Sequence, residues 1–215
     1  MPDPDSQRSA SVMPQPLSLF PLPAVLFPGG LLGLKVFEAR YLDMVGSCLR
    51  ERQPFGVICL REGAEVGRSK QPTRLEPVGV LASILDVDSE QSGILQLRCI
   101  GGQRFRLRGA PEQRANGLWV ADVEAIADDE TTPPLPELMP TVQALAEAAA
   151  KLKEKDMLPF TEPLQLGNAG WVANRWCEIL PISTAAKQKL MELEDGATRL
   201  ALIDEFLRSK QVVKG

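Results

Sequence analysis

The chain has 215 residues, with 44% apolar and 24% charged side chains, enough for one large domain or two small ones with a core. Its formal net charge of −4 removes any global positive field that would draw in nucleic acid. There is no histidine, and the four cysteines (Cys48, Cys59, Cys99, Cys177) form no CxxC pair, so the sequence argues against a zinc site with the usual Cys and His ligands, and buried thiols in a reducing cytosol are expected.

In chain order, residues 1–16 are polar and proline-rich and are expected to be a disordered lead-in. Residues 9–34 carry no charge, but Pro14, Pro16, Pro21, Pro23 and Pro28 would leave backbone groups unpaired in lipid. With no clear signal-peptide cleavage site, the protein is expected to be cytoplasmic and not membrane-bound. Leu17–Phe20 predicts a short strand ended by Pro21 and Pro23, Phe27-Pro28-Gly29-Gly30 a turn, and Leu31–Phe37 a returning strand. Phe37, Tyr41, Met44, Val45, Cys48 and Leu49 then recur at helical spacing and predict a helix with one apolar face. Gly46 costs that helix about 1 kcal/mol relative to alanine.

Five strand signals follow. Phe55–Leu60 reads as a buried strand, and a charged loop over 61–74 leads to Val78–Val87. After a turn at Ser89–Gly93, Ile94–Ile100 alternates. Beyond Gly101-Gly102, Phe105 and Leu107 alternate with Arg104, Arg106 and Arg108, and Trp119–Ile126 closes the series. Short runs with regular turns predict an antiparallel barrel or sandwich over 17–127. An acidic, proline-rich linker is expected over 128–136. From 137 to 210 the pattern is helical. Leu138, Val142, Leu145, Ala149 and Leu152 mark one face, Val172, Trp176, Ile179 and Leu180 a second, and Ser183 an N-cap for a third helix. Leu200, Ile203 and Leu207 mark a fourth, so four short helices predict a small bundle.

Three motifs suggest chemistry and are better read as structure. GGLLGLK at 29–35 lacks the Gly-Lys-Ser/Thr ending of a phosphate loop. Ser183 with Lys187, and the Thr184-x-x-Lys187 spacing, invite a Ser-Lys hydrolase reading, but capping accounts for the serine and no oxyanion site is evident. Arg104, Arg106 and Arg108 form a basic ladder that could bind RNA. The competing reading is cross-strand pairing with Asp122 and Glu124, since RNA binding wants a wider positive surface with exposed aromatics.

The stretch LFPLPAVLFPGGLLGLKVFEARY at 19–41 resembles the opening of the Lon N-terminal domain family. PFGVICL, VGVLASILDVDSEQSGILQLRCIGGQRFRL and the helical tail WVANRWCEILPISTAAKQKLMELEDGATRLALIDEFL are similar to later family segments, in the right order. Lys35 and Val80 depart from the His and Thr common in that family, which leaves ligand preference open. The resemblance implies an α+β fold, a PUA-like antiparallel β pseudo-barrel followed by a C-terminal four-helix bundle. It implies a non-catalytic module that recognises unfolded or tagged polypeptide segments, with no cofactor or metal and with a protease or chaperone in trans as a further partner. The ATPase and Ser-Lys peptidase of full Lon proteases do not follow before Gly215. The expected peptide site has Leu22, Phe27 and Pro28 as an exposed apolar floor, with Glu38, Arg40 and Tyr41 at its edge. A purely structural role for Glu38 and Arg40 competes with that assignment. The alternatives are an RNA-binding PUA-like domain, and a small-molecule or hydrolytic site in the cleft between barrel and bundle.

Overall fold

The computed structural model describes residues 13–61, 74–91, 93–155, 157 and 159–213. The N-terminal half forms strands β1 (Leu17–Leu22), β2 (Leu31–Val36), β3 (Phe55–Leu60), β4 (Leu75–Gln91), β5 (Ile94–Leu107), β6 (Glu112–Gln113), β7 (Trp119–Ala121) and β8 (Val123–Ala125), with helix α1 (Ala39–Glu51) between β2 and β3. The sheet order is β2-β5-β4-β3-β1-β7-β6, and β8 pairs with β5 off that path. Every pairing is antiparallel except β1 with β3. Helices α2 (Met139–Glu154), α3 (Ala169–Ile179), α4 (Thr184–Glu192) and α5 (Gly196–Ser209) follow. The fold class is therefore α+β, as expected.

Strand parity explains the core. Leu19, Ile58 and Leu81 point into one apolar cluster with Leu17, Phe105, Ala121 and Val123, while their neighbours Phe20, Val57 and Val80 point into the other. The second cluster takes in Tyr41, Met44 and Val45 of α1 and continues to Val172, Trp176, Leu200, Ile203 and Leu207. One core thus runs from the sheet to the helices. Helix starts follow the sequence signals: Asn168 accepts from Trp171 N, Ser183 from Ala186 N, and Asp195 from Ala197 N and Thr198 N.

Several boundaries differ from expectation, each for a physical reason. β1 runs through Pro21 to Leu22, because β7 pairs with it only over 17–19 and the proline lies where the strand has a single neighbour. Gly101-Gly102 does not end a strand. β5 passes through it, because the backbone of Phe27 crosses so close to Gly101 that a side chain there would collide with the Phe27 carbonyl. Phe37 precedes α1 and is 64% exposed, so it is not on the buried helix face; Leu49 is exposed as well. Of the lead-in expected to be disordered, residues 13–16 are tied to the sheet. Met13 is buried, and the Gln15 side chain donates to Val123 O at 2.7 Å and accepts from Val123 N at 3.1 Å. Residues 1–12 and most of the charged loop (62–73) lie outside the described residues. The expected linker is also anchored, through Asp129 and through Ala169 N donating to Thr132 O at 2.9 Å.

Candidate functional site

The residues at the head of α1 form a compact group. Glu38 occupies the N-cap position without capping through its side chain; its carboxylate instead meets Arg40 Nη2 at 2.6 Å. Arg40 Nη1 donates to Gly117 O at 2.9 Å, and the guanidinium lies 4.7 Å from the centre of the Tyr41 ring. Tyr41 is buried and stacks on Phe20 at 4.2 Å. Burial raises its phenol pKa above the usual value, with Arg40 opposing the rise. Glu38, Arg40 and Tyr41 are thus brought together, and Phe37 projects beside them.

The loop between β1 and β2 places its apolar residues unequally. Leu22 and Pro28 are half-buried, Pro23 and Ala24 are exposed, and Phe27 is 0% exposed. The expectation that Phe27 forms part of an exposed floor is corrected. The Pro28-Gly29 turn, closed by Gly30 N donating to Phe27 O, folds the ring inward to the main core. Gly29 takes φ +73° there, a value glycine adopts without strain. Arg175, itself 0% exposed, fastens this turn to α3 by donating to Gly29 O at 2.5 Å and Pro28 O at 2.8 Å. It also pairs with Glu178 at 2.8 Å. Burial pushes the Glu178 carboxyl up to about 7, although Arg175 and Lys187 pull the other way.

Between sheet and helices lies a cleft of about 230 Å³, lined by Pro28, Gly29, Arg104, Asp129, Trp171 and Asn174 among others. Asp128 stands exposed at its rim, and the charge of Asp129 is paired with two arginines. Arg104 meets Asp129 Oδ1 at 2.7 Å and Arg199 meets Asp129 Oδ2 at 2.6 Å. Both arginines also donate to the Leu193 carbonyl, and Arg199 donates to Asn174 Oδ1 at 3.0 Å. The polar groups form a structural clamp and offer no nucleophile with an adjacent base.

The other motifs resolve as structure. Arg104 is buried in the clamp, while Arg106 and Arg108 reach Glu124 at 3.8 and 3.2 Å, and Arg106 also meets Glu194 at 3.2 Å. Of the two acids expected to pair with the ladder, Glu124 does so; Asp122 contributes its carbonyl, which accepts from Arg108 N at 2.8 Å. Ser183 caps α4 and Lys187 Nζ donates to Glu178 O at 3.0 Å, so the two form no dyad. Gly33 and Lys35 lie in β2 and not in a loop. All four cysteines are free, and burial raises the thiols of Cys48, Cys59 and Cys99 to about 11 and that of Cys177 to about 12. Among the described residues no acidic, cysteine or histidine cluster could hold a metal, and no helix is long and apolar enough to cross a membrane.

A family model described as the ATP-dependent protease La (LON) substrate-binding domain matches residues 16–209. The chain belongs to this family. Lon protease from Paraburkholderia phytofirmans is 28% identical over 207 residues, covering 91% of this chain and 24% of that protein. Lon protease from Methylocella silvestris is 26% identical over 194 residues, covering 86% and 23%. The chain therefore spans about a quarter of the length of these Lon proteases. The crystal structure of a Lon N-terminal domain protein from Xanthomonas campestris superposes with a TM-score of 0.70 at 32% identity, covering 87% of this chain and 95% of that one. The N-terminal domain of a Mycobacterium avium complex Lon protease shares the fold, with a TM-score of 0.60 at 16% identity over 89% and 97% of the two chains. What is matched is the Lon substrate-binding module, which is non-catalytic.

Sequence reasoning alone passed over Phe37, assigning it to a buried helix face, and the Arg104–Asp129–Arg199 and Arg175–Glu178 groups. Glu38 at 38 and Arg40 at 40 bracket the helix start, so an N-cap reading of Glu38 would have put Phe37 outside the helix. No local signal pairs arginines with acids that lie 70 and 25 residues away in the chain.

Proposed function

We propose that this Lon-family domain is a recognition module for unfolded or tagged polypeptide segments. The observation that carries the reading is the exposure of Phe37, an aromatic ring left in solvent at the head of α1 in a substrate-binding family. Leu22, Pro23 and Pro28 supply further partly exposed apolar surface in the preceding loop, Glu38 and Arg40 form a charged pair beside Phe37, and Tyr41 supports Arg40 from below. Contacts of this kind rest on apolar burial and tolerate varied sequences. On the same reading the curled sheet is the PUA-like pseudo-barrel implied by the resemblance, and α2–α5 are the four-helix bundle behind it. The module works in the cytoplasm, in keeping with four unpaired thiols, and serves a protease or chaperone acting in trans.

The test is capture of a reduced, unfolded model protein by the wild type and by Phe37→Asp. Because Phe37 is mostly exposed, the substitution spares the core. Capture falling at least about fivefold supports the reading. Equal capture by both proteins, or none by the wild type, refutes it.

A further inference from the structure

Among the described residues, no partner meets the outer row of main-chain groups along β2. The strand stands, among the described residues, at one end of the strand order and pairs only with β5, in an unbroken register from Leu31↔Ile100 to Val36↔Leu95. The direction of its hydrogen bonds follows from the adjoining turn. Gly101 N donates to Gly30 O while Gly29 N donates to Gly101 O, so Gly30 faces Gly101 as a hydrogen-bonded position. Counting along the ladder by twos, Leu32, Leu34 and Val36 bond to β5. The N–H and C=O groups of Leu31, Gly33 and Lys35 therefore point outward, and among the described residues nothing pairs with them.

Soluble proteins blunt such edges with prolines, bulges, closely spaced charges or a covering element. β2 has no proline and no register shift, and Lys35 is its only charge. Gly33 is exposed, with open space where a side chain would stand. Leu32 and Leu34 are half-buried along the same strand, and Phe37 lies exposed just past its end.

We propose that β2 is a docking edge at which an extended polypeptide adds as a further strand, bonding to the main chain of Leu31, Gly33 and Lys35 and placing alternate apolar side chains beside Leu32 and Leu34. The inference rests on the polypeptide-recognition reading above and specifies how the segment is held. Main-chain bonds supply affinity without demanding a sequence, and alternation supplies a preference for segments that are β-prone and apolar on every second residue. A second copy of this chain is the weaker occupant. A six-residue strand is about 20 Å long, and pairing it with itself covers far less than the roughly 1,200 Å² of a stable interface.

The experiment measures binding of a labelled ten-residue peptide of alternating valine and threonine, and of the same peptide N-methylated on alternate amides. It uses the wild type, Gly33→Pro, Gly33→Ala and Phe37→Asp. Proline at 33 removes an outward donor and leaves the β2–β5 bonds intact. The expected results are at least tenfold weaker binding by Gly33→Pro, near-wild-type binding by Gly33→Ala, and loss of binding for one N-methylation pattern. On the wild type, the peptide slows hydrogen exchange at the Gly33 and Lys35 amides and leaves Leu32 and Leu34 unchanged. If Gly33→Pro does not fold, the N-methylated peptide and the exchange measurement on the wild type still decide. Peptide binding that ignores Gly33→Pro and N-methylation but falls with Phe37→Asp overturns strand addition while sparing the proposed function. Absence of peptide binding together with failed capture of unfolded protein overturns both. A concentration-dependent dimer of the wild type that Gly33→Pro abolishes assigns the edge to a second copy and overturns the proposal.

Discussion

Replacing Asp129 with asparagine tests whether the sheet and helices are held by a buried charge clamp. Asp129 sits between two guanidinium groups, Arg104 at 2% and Arg199 at 1% exposure, with contacts of 2.7 and 2.6 Å. Its own side chain is 13% exposed. Asparagine keeps the shape but removes the charge, and its amide turns a donor toward donors. Removing one partner of a buried ion pair costs about 3–5 kcal/mol, because the charge left behind is desolvated and uncompensated. Backbone acceptors at Ala127, Leu190, Met191 and Leu193 remain, which argues for the lower half of that range. Against a total stability of about 5–15 kcal/mol the loss is large. For a chain of this size it lowers Tm by roughly 6–20 °C. Urea unfolding followed by tryptophan fluorescence reports on both halves, since Trp119 lies in β7 and Trp171 and Trp176 in α3. Glu194→Gln is the control. Glu194 is 67% exposed and meets Arg106 at 3.2 Å, so its loss should change stability by less than about 0.5 kcal/mol. A change of under about 1 kcal/mol for Asp129→Asn would show that the clamp is not what joins the halves.

Two further predictions concern the neighbouring turn. Glu178 has a folded pKa raised by burial from 4.5 to about 7, so between those values the folded protein holds a proton that the unfolded chain has released. Stability therefore falls as pH rises from about 4.5 through about 7, by up to about 3 kcal/mol; Glu178→Gln should flatten this slope in chemical unfolding between pH 5 and 8, and an unchanged slope would discard the assignment. Gly101→Ala should cost more than about 2 kcal/mol by overpacking against the rigid Phe27 backbone, whereas Gly33→Ala, which meets open space, should fall within about 0.5 kcal/mol of wild type; equal effects in urea titrations would contradict the described crossing.

What local patterning controls was legible in the sequence. Alternation at 94–100, the helical faces at 138–152 and 172–180 and the Ser183 cap all appear as elements with the expected character, whereas the single strand expected over 119–126 is split at Asp122 into β7, which pairs with β1 and β6, and β8, which pairs with β5. The α+β class followed from the change of period near Asp128. What long-range contact decides was not legible. Pro21 reads as a stop until the strand is known to have one neighbour, and Gly101-Gly102 reads as a turn until the Phe27 backbone is known to cross it. Phe27 reads as a loop residue, yet a turn held by an arginine 146 residues away in the chain places it in the core. Asp129 reads as part of an acidic linker, because composition does not show that two arginines converge on it.

The buried charges and the open edge are two parts of one arrangement. Arg175 grips the carbonyls of Pro28 and Gly29 from α3, and Gly29 and Gly30 in turn bond to Gly101 of β5, which fixes where β2 begins and which of its groups face outward. A strand pinned at its start by a helix and along its length by a 14-residue partner has little freedom left to lose when a peptide pairs with it. A flexible edge would give up conformational entropy with each residue it ordered, about 1–2 kcal/mol apiece. The grip of Arg175 on the turn before β2 therefore helps hold that edge in place for the proposed strand addition, although Arg175 itself acts at the start of the strand.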